Sequence, residues 1–264
     1  MAPVLAQATV EDTVMIPGRD NRLYRVGTLG GVHVVVGLTG IGLVNAAAST
    51  SAILDQFPVT GVVVSAVAGS SLLIGDVTVP ETWTLIDSDD PNGLTFDTDP
   101  AWFALAQAVA APGVVTLEQC TDVPAMPSEN VCVLGQPVVV TGGAGQSSDP
   151  FGGNAVPCAP NGNDVNGCDV VPTATAEASS RAVRAPASQD TEMPIAVDNE
   201  TAAIAREAIG RGLPFIAFRA VSDGAGDPLG LPGYPSQFFV YYRLAADNAA
   251  AATVAFLERL AGEP

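Results

Sequence analysis

Apolar runs no longer than a strand alternate along this chain with segments of helical periodicity, and few folds accept that alternation. "HVVVG", "GVVVSAV", "PVVVT", "PIAV" and "LPFIAF" are short and rich in β-branched or aromatic residues, as interior strands of an α/β sheet are. Between and after them, "LVNAAASTSAILDQF", "DPAWFALAQAVA", "NETAAIAREAI" and "FFVYYRLAADNAAAATVAFLERL" carry apolar residues at helical spacing, the second opened by Asp99 and Pro100. The expectation is a single-domain α/β protein over 1–264. A chain of 264 residues that is 48% hydrophobic can fill such a core. Two stretches, about 116–135 and 143–190, are rich in Gly, Pro, Ser, Asn and Asp and read as loop elaborations on the surface. There is no internal repeat.

Charge narrows the partners. Asp and Glu number 28 against 10 Lys plus Arg, all ten of them Arg, and the net charge of −18 argues against nucleic acid or anionic membrane surfaces. No apolar run approaches the roughly 20 residues of a membrane-spanning helix. The same charge is ordinary for an acidic protein of a GC-rich or salt-adapted genome.

The four cysteines lack metal-ligand spacing, and His33 is the one histidine, so neither metal nor cofactor is expected. Three connectivities are open to them. Loop shortness favours Cys120 with Cys132 and Cys158 with Cys168, which points to an oxidising compartment and hence to export. "MAPVLAQATV" has neither the basic n-region nor the apolar h-region of a signal peptide, so these residues do not supply the export signal.

Three strand ends gather the residues that could do chemistry. After "VVVSA" come Val67, Ala68 and Gly69; after "IAV" come Asp198, Asn199 and Glu200; after "FIAF" come Arg219, Ser222 and Asp223. Open α/β sheets bind ligands at the carboxyl ends of their strands. Small residues admit a ligand to the backbone, while two carboxylates and a guanidinium supply charge. Each also has a structural explanation: Asp198 or Asn199 as a helix cap, Ser222 as turn chemistry, and Gly40 and Gly42 as helix-entry glycines, because the full dinucleotide fingerprint is missing.

"LTGIGLVNAAAST", "SAVAGSSLLIGDVTVPETW", "SSDPF", "VDNETAAIA" and "PFIAFRAVSD", in that order, resemble the nucleoside phosphorylase superfamily, most closely its methylthioadenosine/S-adenosylhomocysteine nucleosidase branch. The resemblance runs from about residue 23 to the end. It implies a three-layer α/β/α fold with a mixed, twisted central sheet, and cleavage of the bond between a ribose and a purine. Asp223, with Ser222 beside it, then shares a proton with N7 of the purine. Glu200 accepts hydrogen bonds from the ribose hydroxyls and faces the positive charge that develops on the sugar. Phe151 stacks on the base with the Gly152 backbone next to it. Ala68 and Gly69 line ribose and base edge, Ile41 forms the far wall, and Arg219 supports the acidic cluster. The resemblance also implies a small-molecule nucleoside as partner and a homodimer or homotrimer.

Departures from the pattern are informative. Val64 stands where phosphorylases place an Arg and Val67 where they place a hydroxyl, so hydrolysis is favoured over phosphorolysis. Asn199 replaces a Met that packs against the sugar. The family's first strand, ending near a Glu that activates water, falls by alignment just before Met1, so this stretch is expected to lack that strand. Storage proteins of the same superfamily make a catalytically silent, secreted nucleoside-binding protein an alternative, and a purine nucleoside phosphorylase another. A serine hydrolase would have to use His33, inside an apolar strand, without any G-x-S-x-G.

Overall fold

The computed structural model describes residues 1–16, 22–87, 90–123, 126–157 and 194–263, with backbone alone at 87, 90–93 and 126–129. A short helix α1 (Ala2–Gln7) leads into an antiparallel meander of β1 (Thr9–Met15), β2 (Leu23–Leu29) and β3 (Val32–Gly37). Gly30 and Gly31, at φ 57° and 80°, make the two-residue turn between β2 and β3, a backbone that residues with a Cβ rarely adopt. The sequence pattern marked only the third of these strands.

After α2 (Leu43–Gln56) the chain builds β4 (Val62–Leu73), β5 (Val77–Val79), β6 (Thr82–Asp87), β7 (Asp90–Asp97) and α3 (Pro100–Val109). Asp99 caps α3 through a bond from the Trp102 amide, as its position before Pro100 predicts. A hairpin of β8 (Cys120–Val123) and β9 (Met126–Cys132) precedes β10 (Val139–Thr141) and β11 (Ala144–Ser148). The chain closes with β12 (Ala196–Asp198), α4 (Thr201–Ile209), β13 (Phe215–Ala225) and the long α5 (Gly233–Gly262).

Eight strands form the central mixed sheet in the order β10-β5-β13-β4-β12-β11-β6-β7. Its centre is the parallel pair β4–β13, in which Val62 lies opposite Phe215 and Ala68 opposite Val221. Side chains alternate across β13. Phe215 and Ala217 face a core with Ala46 of α2 and Ala202, Ala205 and Ala208 of α4. Ile216, Phe218 and Ala220 face the other core, with Ala106 and Val109 of α3 and Ala245, Ala249 and Phe256 of α5. Helices thus cover both faces, giving the expected three layers.

Two expectations need correcting. The loop read over 143–190 begins with a true strand: Ala144–Ser148 pairs with β6 on one side and β12 on the other. Small residues made it look like a loop, but they are what fits, because a Cβ on Gly145 would lie 2.7 Å from the Trp83 ring. Second, β4 and β13 do not end at the candidate residues. Both continue, to Leu73 and Ala225, and their register shifts on either side of Asp223. His33 lies within β3, opposite Thr28, as expected of a strand residue, and is exposed.

Cys120 and Cys132 are bonded, and they sit opposite each other in the β8–β9 register. Val123, Val131 and Val133 of this hairpin pack with Ile74, Val221, Tyr241 and Leu244. The proposed Cys158–Cys168 pair lies outside the described residues, as does most of the 143–190 segment. No helix among the described residues is long and apolar enough to cross a membrane.

Candidate active site

Asp223 lies where β13 bulges away from β4. Its register partner is Gly69, and a Cβ on Gly69 would lie 2.7 Å from Asp223 Oδ2, so the carboxyl group rests on bare backbone. The Ser222 hydroxyl donates to Asp223 Oδ1 at 2.8 Å and lies 3.3 Å from the carbonyl of Ala68. Burial pushes the Asp223 carboxyl above the usual carboxylate range, against a smaller lowering by the Ser222 bond. A carboxyl group in such a place can hold a proton and give it up.

The second carboxylate is held very differently. Glu200 stands at the N-terminus of α4, and its Oε1 accepts from the Gly42 amide at 2.9 Å. Gly42, at φ 90°, is the residue before α2, so the entry of one helix grips the carboxylate that precedes another. Arg219 NH1 lies 3.6 Å from Glu200 Oε2. Burial raises the Glu200 pKa; Arg219 opposes this, and the neighbouring Asp198 charge adds to it.

Arg219 is itself buried at 3% exposure and fully engaged. Its NH2 pairs with Asp198 Oδ2 at 2.9 Å, its Nε donates to the Thr201 hydroxyl at 2.8 Å, and its NH1 donates to the Val67 carbonyl at 2.9 Å. Asp198 in turn accepts from the Ser147 hydroxyl at 2.5 Å, from the Thr201 hydroxyl, and from the amides of Glu200 and Thr201 at 3.1 and 3.2 Å. The helix-cap explanation of Asp198 therefore holds, and the same side chain is also the counter-ion of Arg219. A buried pair with this many bonds is costly to break, because removing one member strands the other.

Phe151 lies beside the entry to α2. Asp149 accepts from the amide of Phe151 at 2.9 Å and also from that of Gly153, closing a turn that sets the ring beside Gly42. A Cβ on Gly42 would lie 3.0 Å from that ring. Asn45 ties the wall together, its amide donating to the carbonyls of Ile41 at 2.9 Å and Val156 at 2.7 Å. Contacts thus run without a break from Phe151 to Gly42 and Glu200, then along β12 to Gly69 and Asp223.

Not every candidate side chain belongs to this run of contacts. The Val67 side chain packs against the α5-side core while its carbonyl serves Arg219. With its nitrogen turned toward acceptors, the Asn199 amide donates to the carbonyls of Ser148 and Asp198, both at 3.1 Å, tying β12 to β11. Gly152 is exposed at φ 63°. Sequence reasoning missed Ser147, Thr201 and Val197. Val197 is 42% exposed and lies opposite Gly69, leaving an apolar side chain uncovered at that point of β12. Ser147 could have been found only by reading Ala144–Ser148 as a strand. Among the described residues, no group of three or more His, Cys, Asp or Glu side chains is arranged to hold a metal ion.

The chain belongs to the phosphorylase superfamily, whose family model matches residues 2–258. The uncharacterized protein Rv2293c of Mycobacterium tuberculosis is 37% identical over 178 residues, 61% of this chain and 69% of the relative. Rv2292c of the same organism is 58% identical over 67 residues, 25% of this chain and 90% of that protein. Among solved structures, futalosine hydrolase of Helicobacter pylori superposes with TM-score 0.63 at 18% identity, over 97% of this chain and 92% of that one. The 5'-methylthioadenosine/S-adenosylhomocysteine nucleosidase of Neisseria meningitidis, in complex with methylthio-immucillin-A, gives 0.61 at 20% identity, over 98% and 96%. A putative nucleosidase of the same name from Borrelia burgdorferi, bound to adenine, gives 0.66 at 18% identity, over 98% and 94%. At these identities the likeness establishes the fold.

Proposed function

We propose that the protein is a nucleosidase that hydrolyses the N-glycosidic bond of purine nucleosides of the adenosine type, including those substituted at the 5' position. The observation that carries this is the Asp223 carboxyl: half-buried, raised in pKa and bonded to Ser222, with its other oxygen against Gly69. Protonated Asp223 donates to N7 of the base as the glycosidic bond lengthens, so the purine leaves as a neutral species. Glu200 holds the ribose hydroxyls and stabilises the cationic sugar, its position fixed by the Gly42 amide and by Arg219. Phe151 stacks on the base.

Water rather than phosphate is the acceptor in this reading. Val64 is buried in the α2/α4 core and Val67 packs toward α5. The Arg219 guanidinium is committed to Asp198, Thr201 and Val67, with Glu200 a further neighbour, so it is not free to bind a phosphate dianion. Export of the protein, and a dimeric or trimeric state, belong to the same proposal.

The test is incubation with a panel of purine nucleosides with and without phosphate, scored for free base, alongside Asp223→Asn. Free base and unphosphorylated sugar are expected without phosphate. The variant should lose roughly 10²–10⁴-fold in kcat with nucleoside binding much less affected. Strict dependence on phosphate, or full turnover by Asp223→Asn, would overturn the assignment.

A further inference from the structure

Ile74, Gly75 and Asp76 turn the chain from β4 into β5, and this turn grips β13 on both sides of Asp223. The Val221 amide donates to the Asp76 carbonyl at 2.8 Å, the Gly75 amide donates to the Val221 carbonyl at 2.9 Å, and the Ile74 amide donates to the Ala225 carbonyl at 2.9 Å. Between these ties lie Ser222, Asp223 and Gly224, the irregular stretch of the β4–β13 pairing. The fit is close. A Cβ on Gly224 would lie 2.5 Å from the Leu72 carbonyl oxygen.

The turn is braced by its own carboxylate. Asp76 is 4% exposed; Oδ2 accepts from the Leu73 amide at 3.1 Å and Oδ1 from the Val138 amide at 2.9 Å. Asn248 of α5 adds a bond to the Gly75 carbonyl at 2.9 Å. A buried carboxylate served by backbone amides is expensive to keep, and a neutral turn residue would avoid that expense. Its two amide donors come from the end of β4, which neighbours β13, and from the approach to β10, which neighbours β5, so it fixes the turn against both ends of the β10-β5-β13-β4 stretch of the sheet.

We infer that Asp76 is a positioning residue for the proton donor: by locking the 74–76 turn it sets where the Asp223 carboxyl stands over Gly69. This rests on the role proposed for Asp223. Any slackening of the turn lets the 222–224 bulge relax, and a displacement of about 1 Å at a reacting group can cost on the order of a hundredfold in rate.

The experiment is a double-mutant cycle in the full chain, with Asp76→Asn, Asp223→Asn and the pair. Asp76→Asn should lower kcat roughly ten- to a hundredfold while the Kd for nucleoside stays close to wild type, and it should cost nothing further in the Asp223→Asn background. Asp99→Ala, a cap variant of α3, controls for lost stability: it should lower Tm and leave kcat alone. The carboxyl carbon resonance of Asp223, followed by NMR titration, should also change its midpoint in Asp76→Asn. Should that variant not fold, Val138→Pro removes one amide donor and leaves the carboxylate in place, and the same cycle applies. Additive losses, or an Asp223 titration that does not move, would overturn the inference while leaving the catalytic role of Asp223 intact. A fully active Asp223→Asn would instead overturn the proposed mechanism, and the inference with it.

Discussion

Glu200 and Asp223 are the two carboxyl groups of the candidate site, held by opposite means. Glu200 belongs to a network of Asp198, Arg219, Thr201 and Ser147 in which most polar atoms have partners and one helix entry is locked to another. Asp223 has a single side-chain partner, Ser222, and rests against a glycine. A group that must stay charged benefits from surrounding bonds. One that must exchange a proton benefits from few, because every bond accepted by the carboxylate lowers its pKa.

The largest effect expected from this contrast is on the fastened side. Asp198→Ala strands the Arg219 charge in a buried site, and removing one partner of such a pair costs about 3–5 kcal/mol. For a chain of this size that is a fall in Tm of roughly 10 °C, to be read by thermal denaturation at neutral pH. A Tm within a degree or two of wild type would mean that the network is no more essential than the Ser222–Asp223 pair.

A smaller effect is expected on the loose side. Gly69→Ala places a methyl 2.7 Å from Asp223 Oδ2, in a backbone that carries no positive φ. The carboxyl group has to move, at an overpacking cost of about 1–3 kcal/mol, and kcat should fall more than Kd rises. Steady-state kinetics with calorimetry decide it; an unchanged kcat would show that Asp223 needs no fixed seat.

The smallest effect is a gain. Because burial raises the Asp223 pKa, the folded state holds that proton more tightly than the unfolded chain does. Stability is therefore lost as pH rises from the ordinary carboxylate range through the raised value. Asp223→Asn removes that loss and keeps the acceptor for Ser222. Its Tm should match or slightly exceed wild type at neutral pH, with the difference vanishing near pH 4. A marked drop in Tm at neutral pH would mean that the charge is needed for folding, as on the Glu200 side.

Much of the fold was legible because β-branched runs and alanine-rich helices follow simple periods. α2 and α3 fall close to where their patterns put them, and β4 and β13 start there but run on past the apolar signal. The strand at Ala144–Ser148 was not, since its residues are small to fit the Trp83 ring and carry no period-two apolar signal. For the site, the family resemblance singled out Asp223, Glu200 and Phe151; the structure sets Phe151 beside Gly42, whose amide bonds Glu200, and sets Asp223 against Gly69. Residue patterns alone read Asp198 as a cap; its pairing with Arg219, on β13 across β4 from β12, was within reach only through the family resemblance, which gave Arg219 to the acidic cluster as a whole. Nor could the bulge at Asp223 be foreseen: a register shift depends on what the neighbouring strand does.

The central β4–β13 pair joins Val62 to Phe215, distant in the chain, and it supplies both sides of the seat on which Asp223 rests. Contacts of such long sequence separation form late, since a large loop must close before any bond repays it. During synthesis, β4 therefore waits without this partner until the residues of β13, from Phe215 on, have emerged. Over that interval the unpaired, valine-rich strand offers an edge to other chains, a route to aggregation that closes when β13 pairs with it.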